Sequence, residues 1–311
     1  MRDSKIKRVL VNMYEFYFER RRRLIRELKY WKYSKNFHLR IMSPQKTLSY
    51  IKKKGVSIAR FGDGEFDMIS GIRDLKFQKS SPELGKALKK VLNTKKSSLL
   101  LCVPRTFKSI RGCNWHAAMY WTRWGIEEQN LKPIVEKLNI ECGKEYVFGD
   151  ALITRPFIDW TTKRSAKHIW RGLKRIWNNR DLLIVEGCQT RLGVGNDLLA
   201  NAKSIKRILA PSIGAFEKYD AILETTLNLY RDELVLIALG PTATVLAAEL
   251  SARGIQALDV GHMDIEYEWY CRGDKNKAVI PGKFVNEAVG GQNPIDCYDV
   301  NYLEQIVAKI N

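Results

Sequence analysis

The chain has 311 residues, 45% of them hydrophobic and 28% charged, the composition of a globular protein with a sizeable core. Its 53 Lys and Arg against 34 Asp and Glu leave a net charge of +19, a field that favours anionic partners: nucleic acid, an anionic membrane surface or phosphate-bearing substrates. Six scattered Cys with no C-x-x-C spacing argue against a disulfide framework or a Cys zinc site, and no secretory signal or apolar run of about 18 residues occurs, so a reduced, cytoplasmic protein without a membrane span is expected.

The first forty residues stand apart. KIKRVLVNMYEFYFERRRRLIRELKYWKY lacks Gly and Pro, and Val9, Leu10, Met13, Phe16 and Tyr17 recur at helical spacing, as do Leu24, Ile25 and Leu28. A basic, aromatic helical extension over 1–43 is expected, either packed on its own domain or a partner, or lying on an anionic membrane at its inner face. Ser43-Pro44 then stops one helix and starts another.

From residue 44 to 311 the pattern is α/β. GVSIARFG (55–62), SSLLLCVP (97–104), DLLIVEG (181–187), SIKRILAP (204–211), ELVLIALGP (233–241) and IQALDVGH (255–262) read as strands. TATVLAAELSARG (242–254) reads as a helix closed by Gly254. Apolar strands alternating with helices predict one Rossmann-like domain, a mainly parallel sheet flanked by helices on both faces. In such sheets ligands bind beyond the carboxyl ends of the strands, and four polar, Gly-containing strand ends would converge there.

The first of these ends, ARFGDGEF, holds Arg60, Gly62, Asp63, Gly64 and Glu65. Its glycines let the backbone approach a ligand closely, and its two acids suit a cation, a sugar hydroxyl or a catalytic base, or else a solvated turn. EGCQTRLGVGND offers Thr190, Arg191, Gly195, Asn196 and Asp197 as an anion cradle, with Arg191 as a bidentate phosphate partner; an ordinary capped loop would look similar. GPTAT puts Gly240 and Thr242 at a helix N-terminus. GDALITRPFIDW adds Thr154, Asp159 and Arg155, a second candidate for a diphosphate. HMDIEYEWY alternates strictly, so an extended chain would place His262, Asp264, Glu266 and Glu268 on one face; three carboxylates and a His suit Mn²⁺ or Mg²⁺. His38, His116 and His168 sit in basic or aromatic contexts and read as structural.

Together, in this order, ARFGDGEF, DALITRP, VEGCQTRLGVGNDLL, LGPTATVLAAEL and DVGHMDIEYEWY resemble the bacterial glycosyltransferases of the GT-D fold, over roughly residues 45–290. The resemblance implies a Rossmann-like domain that uses a UDP-sugar, typically UDP-glucose, with a divalent metal and a D-x-E motif. Two D-x-E strings occur, Asp63-Gly64-Glu65 and Asp264-Ile265-Glu266, and the resemblance leaves open which one holds the metal. With His262 alongside, the second pair is the expected metal site; Asp63 and Glu65 are then expected at the sugar end, one of them as base.

The expected function is thus metal-dependent hexosyl transfer from a UDP-sugar to a lipid-linked or protein-linked glycan in surface-glycan assembly. The competing classes are a non-catalytic nucleotide-binding protein and a basic binder of nucleic acid or membrane surface. A nucleic-acid reader needs a recognisable reader fold with clustered basic residues, and neither is found.

Overall fold

The computed structural model of the chain describes residues 20–94 and 96–310. Nine strands form one wholly parallel sheet: β1 (Arg40–Ile41), β2 (Ser57–Arg60), β3 (Leu99–Val103), β4 (Val147–Asp150), β5 (Asp181–Gly187), β6 (Ser204–Ala210), β7 (Leu234–Ala238), β8 (Ala257–Asp259) and β9 (Ile306–Lys309). Their spatial order is β1-β4-β3-β2-β8-β7-β5-β6-β9. Every residue of β3 and of β7 is buried. Strands covered on both faces read as unbroken apolar runs, which is why all six expected strands appear where the sequence places them.

The helices are α1 (20–34), α2 (Pro44–Lys54), α3 (Asp63–Ser70), α4 (Pro82–Leu92), α5 (Trp115–Thr122), α6 (Leu131–Glu141), α7 (Arg164–Lys174), α8 (Tyr219–Leu229), α9 (Pro241–Ala252), α10 (Met263–Arg272) and α11 (Val300–Glu304). Alternation along the strands sends Ile58, Leu100, Ile184 and Leu236 to one face, where α2, α7 and α10 cover them. Ala59, Leu101 and Val103 go to the other, under α3 to α6. Val185 and Val235 continue that face under α8 and α9. Ser43 caps α2 by accepting the Lys46 N–H, with Pro44 at its first turn.

Only one strand pair, β2 with β8, joins β1–β4 to β5–β9. Ser57 Oγ stitches this seam, donating to the Ile255 carbonyl at 3.3 Å and accepting the Ala257 N–H at 3.0 Å.

Of the expected basic extension, Val9, Leu10, Met13, Phe16 and Tyr17 lie outside the described residues. The described part, α1, packs on the domain through one side. Tyr30 is buried and donates its hydroxyl to the Thr106 carbonyl at 2.8 Å, and Ser34 Oγ donates to the Lys108 carbonyl. Leu24, Ile25 and Leu28 do not take part in this packing; they point to solvent. Among the described residues no helix is long and apolar enough to cross a membrane.

One local expectation is overturned. HMDIEYEWY is not extended: Met263 to Arg272 form α10, ended by Gly273 at φ 69°. The alternation misleads because the first turns of α10, Met263 to Tyr267, are buried all round, Asp264 and Glu266 included, so apolar and acidic positions there do not sort into inside and outside. In a helix, Asp264 and Glu266 stand roughly 200° apart about the axis.

Candidate active site

The carboxyl ends of β2, β3, β4, β7 and β8 surround a cavity of about 780 Å³. Arg60, Gly62, Asp63, Gly64 and Glu65 form its floor; Gly240, Gly261 and His262 enter from β7 and β8; Arg155 and Asp159 follow β4. Tyr120, Trp121 and Trp160 make an aromatic wall, and the irregular segment 275–287 closes the far side with Lys277 and Glu287. A second, smaller hollow of about 110 Å³ adjoins it, sharing Phe77, Gly240, Gly261 and His262, and reaches the ends of β5 and β6 at Gly187, Thr190 and Ser212. The four expected strand ends therefore meet in two connected hollows.

Gly62 precedes α3, and Glu65 folds back to accept its N–H at 2.7 Å, a one-sided cap in which the glycine has no side chain to return the bond. Burial, reinforced by nearby Asp259, raises the Glu65 carboxyl to about 7 against the pull of the Gly62 N–H and Arg60. Asp63, at the first turn of the same helix, accepts from the Tyr120 hydroxyl and from Arg73 at 3.3 Å. The two acids thus differ: one titrates near neutrality, the other faces the cavity mouth with 31% of its side chain exposed.

Arg60 is fastened from three sides, to Asp259 Oδ1 at 2.9 Å, to the Asp259 carbonyl at 2.8 Å and to Thr154 Oγ1 at 2.8 Å. The glycine at 261 (φ 48°) is required here, because a Cβ would overlap Arg60 Nη2. A Cβ at Gly240 would likewise collide with the Phe77 ring, so the chain between β7 and α9 lies directly against that aromatic.

Arg155 sits among acids: Glu287 at 2.5 and 3.0 Å, Asp159 at 3.1 Å and Glu266 at 3.9 Å. Burial opposes ionisation of Glu287, yet Arg155 and Lys277 outweigh it and hold the carboxyl well below the usual range. Lys277 pairs directly with Glu287. His262 is pushed down to about 4 by burial, hence neutral, and both its ring nitrogens are buried without a hydrogen-bond partner.

The expected metal set does not assemble. Asp264 is buried and spent on Lys283 Nζ (2.6 Å), the Gly193 N–H (2.8 Å) and Asn196 Nδ2 (2.9 Å). Glu266, raised by burial to about 7, accepts the Ile158 N–H at 3.1 Å and borders neither hollow. Only His262 of the three reaches the large cavity. Among the described residues no three His, Cys, Asp or Glu side chains are grouped to hold a metal ion.

The expected anion cradle divides in the same way. Thr190 borders the small hollow, whereas Arg191, Gly195, Asn196 and Asp197 border neither. Arg191, at φ 54°, donates to the carbonyls of Gly282 (2.5 Å) and Ile295 (2.6 Å) and so clamps the C-terminal segment. Asn196 and Asp197 tie to α10 and α7. Thr242 is buried beneath the start of α9. Replacing Arg191 by Ala is accordingly expected to destabilise the fold by about 1–3 kcal/mol, through two stranded carbonyls, with UDP affinity unchanged at temperatures where the variant stays folded. Chemical denaturation beside UDP calorimetry checks this.

Sequence reasoning missed several residues of the site: Asp259, which pins Arg60 without lining either hollow, and several that line the cavity. Asp259 closes a strand already recognised and could have been found as a polar residue at its carboxyl end. Tyr120, Trp121 and His116 lie in an aromatic helix with no chemical motif, and His116 borders the cavity where a purely structural role was expected. Lys277 and Glu287 belong to an irregular segment and carry no local signal.

A parallel sheet whose strand ends gather helix N-termini, acids and aromatics around a cleft is a common setting for a ligand-binding or catalytic site. A family model, the glycosyltransferase GT-D fold, matches residues 58–288, and the chain belongs to this family. The probable glycosyl transferase Gly of Streptococcus gordonii is 36% identical over 271 residues, covering 87% of this chain and 39% of that protein. Glycosyltransferase GlyD of Streptococcus pneumoniae serotype 4 is 36% identical over 274 residues, 88% of this chain and 33% of its own length. The chain thus spans well under half of these curated relatives. A solved structure of the highly conserved domain of unknown function 1792, described as a distinct glycosyltransferase fold, superposes with a TM-score of 0.82 at 37% identity over 92% of this chain and 100% of that one. A glycosyltransferase of the same domain from Streptococcus sanguinis gives 0.79 at 35% identity, over 88% and 100%.

Proposed function

We propose that the chain transfers a hexose, glucose in the first instance, from a UDP-sugar to a hydroxyl of a lipid-linked or protein-linked glycan in bacterial surface-glycan assembly, on the cytoplasmic side. The observation that carries this reading is the meeting of three helix N-termini, those of α3, α9 and α10, with a carboxyl of neutral pKa in one cavity. Helix N-termini attract the negative charge of a diphosphate. The small hollow, flanked by Phe77, Pro211 and Leu239, has the apolar walls a flat base needs, and with the base there the diphosphate would lie by Gly240 and Gly261. The sugar then extends toward Asp63 and Glu65.

On this reading the acceptor oxygen attacks the anomeric carbon while the bond to the β-phosphate oxygen breaks. Glu65, whose carboxyl burial raises to about 7, receives the acceptor hydroxyl proton in its ionised form. Tyr120 and Arg73 fix Asp63 beside it, and the pinned Arg60 keeps positive charge at the end of β2.

A hard cation that bridges phosphates needs only one or two protein carboxylates, with phosphate and water completing its shell. Asp63 meets that requirement, being oxygen-donating, open to the cavity and next to the expected sugar position. Glu266 borders neither hollow, and Asp264, which borders the small one, is already held by Lys283, the Gly193 N–H and Asn196. When bound, Mn²⁺ or Mg²⁺ would screen the charge growing on the departing UDP.

Calorimetry of UDP with and without Mn²⁺ tests the assignment. Asp63→Asn is expected to lose the Mn²⁺-dependent gain in affinity. Asp264→Ala is expected to keep that gain while melting earlier, because Lys283 loses its closest partner. The opposite pattern would return the metal to α10. Absence of any UDP binding in the unaltered chain would overturn the donor reading itself.

A further inference from the structure

Helix α1 has two unlike sides. Tyr30 and Ser34 bury themselves against the domain, and Arg26 lies over the Trp115 ring at 4.5 Å. On the opposite side Leu24, Ile25, Leu28 and Trp31 are 52%, 56%, 57% and 55% exposed. At 3.6 residues per turn these four fall within an arc of roughly 120°. Exposed Arg20, Arg21, Lys29 and Lys32 interleave with this stripe and flank it. Among its described residues the helix has a single acid, Glu27, which stands on the docked side and is paired with Arg23 at 3.0 Å. The outer face is therefore apolar with only positive charge around it. Trp115 and Met119 of α5 are exposed beside α1, and α5 also supplies His116 and Tyr120 to the cavity wall.

We propose that this face of α1 seats the protein on an anionic lipid bilayer, with the apolar stripe in the interface and the arginines and lysines against lipid phosphates. The charge pattern selects this occupant. A second copy of the same face would bring positive charge against positive charge with no acid to neutralise it, and a neutral bilayer would leave the flanking cations unmatched. Because α5 shares both α1 and the cavity, the seated protein holds the wall of its active site close to the membrane. This inference is independent of the donor chemistry.

The test is co-sedimentation of the full chain with phosphatidylcholine vesicles, with and without phosphatidylglycerol, together with sedimentation velocity in the absence of lipid. Binding is expected to be at least about tenfold stronger to the anionic vesicles and to weaken as salt rises. Leu28→Glu/Trp31→Glu is expected to abolish it with the melting temperature unchanged, since neither side chain packs inside the domain. Lys29→Gln/Lys32→Gln is expected to lose the anionic preference while retaining weak binding. Equal affinity for neutral vesicles, or no binding to either, overturns the proposal. A dimer of the unaltered chain that the Glu variant dissociates, without any vesicle binding, assigns the face to a second copy and overturns it as well.

Discussion

Replacing Glu65 by Gln is expected to slow sugar transfer by about 10²- to 10⁴-fold while leaving UDP binding nearly unchanged. Gln keeps the shape of Glu and its amide oxygen can still accept the Gly62 N–H, so α3 should start as before. What disappears is the group that takes the proton. The pH profile supplies the signature. Burial raises this carboxyl from its ordinary value to about 7, so the active, ionised form is gained as pH rises through that value. Transfer by the unaltered chain should therefore climb between about pH 6 and 8, and the residual rate of the Gln variant should lack this limb. A fully active Gln variant would remove Glu65 from the chemistry.

The largest expected effect on stability comes from Arg207→Met. Arg207 is buried on β6, donating to Glu186 Oε1 at 2.6 Å, to the Leu192 carbonyl at 2.9 Å and to Gln305 Oε1 at 2.7 Å. Glu186 has no exposure at all. Removing one partner of a buried pair leaves the other as an uncompensated charge, and a loss of about 3–5 kcal/mol is expected in urea unfolding. Burial already raises the Glu186 carboxyl above its ordinary 4.5 despite Arg207. Without Arg207 the folded state holds that proton still more firmly than the unfolded state does. The deficit should be smallest below pH 4.5 and grow as pH rises, because the proton is surrendered on ionisation. Glu186→Gln in the same background should recover part of the loss.

Most of the six expected strands were readable because a strand buried on both faces needs no partner to declare itself; β6, with Lys206 and Arg207 in it, is buried only over its second half. β1, β4 and β9 were not, for the opposite reason. Arg40-Ile41 is two residues long, and Val147-Phe148-Gly149-Asp150 ends in Gly-Asp, so neighbours rather than composition make them strands. The D-x-E strings show how far spacing alone reaches. Asp63-Gly64-Glu65 lines the cavity because α3 starts directly at the carboxyl end of β2. Asp264-Ile265-Glu266 carries the same letters, but tertiary packing winds it into α10 and assigns its acids to Lys283 and the Ile158 N–H. Arg191 likewise has the chemistry of a phosphate ligand and a position that puts it to another use.

The single β2–β8 seam has a consequence for how the chain folds. Strands β1–β4 draw on residues 40–150 and β5–β9 on residues 181–309, so each half-sheet can pair internally. The seam pairs Ile58 with Leu258, across 200 residues of chain. Contacts of such sequence separation form slowly, since closing the long loop costs entropy before any pairing returns it. During synthesis β2 is finished early and must wait, as an open apolar edge, until β8 has been made. Arg60 meets Asp259 across that seam. The topology therefore predicts that the active site forms late, and that refolding from urea shows an edge-exposed, aggregation-prone phase before the seam closes.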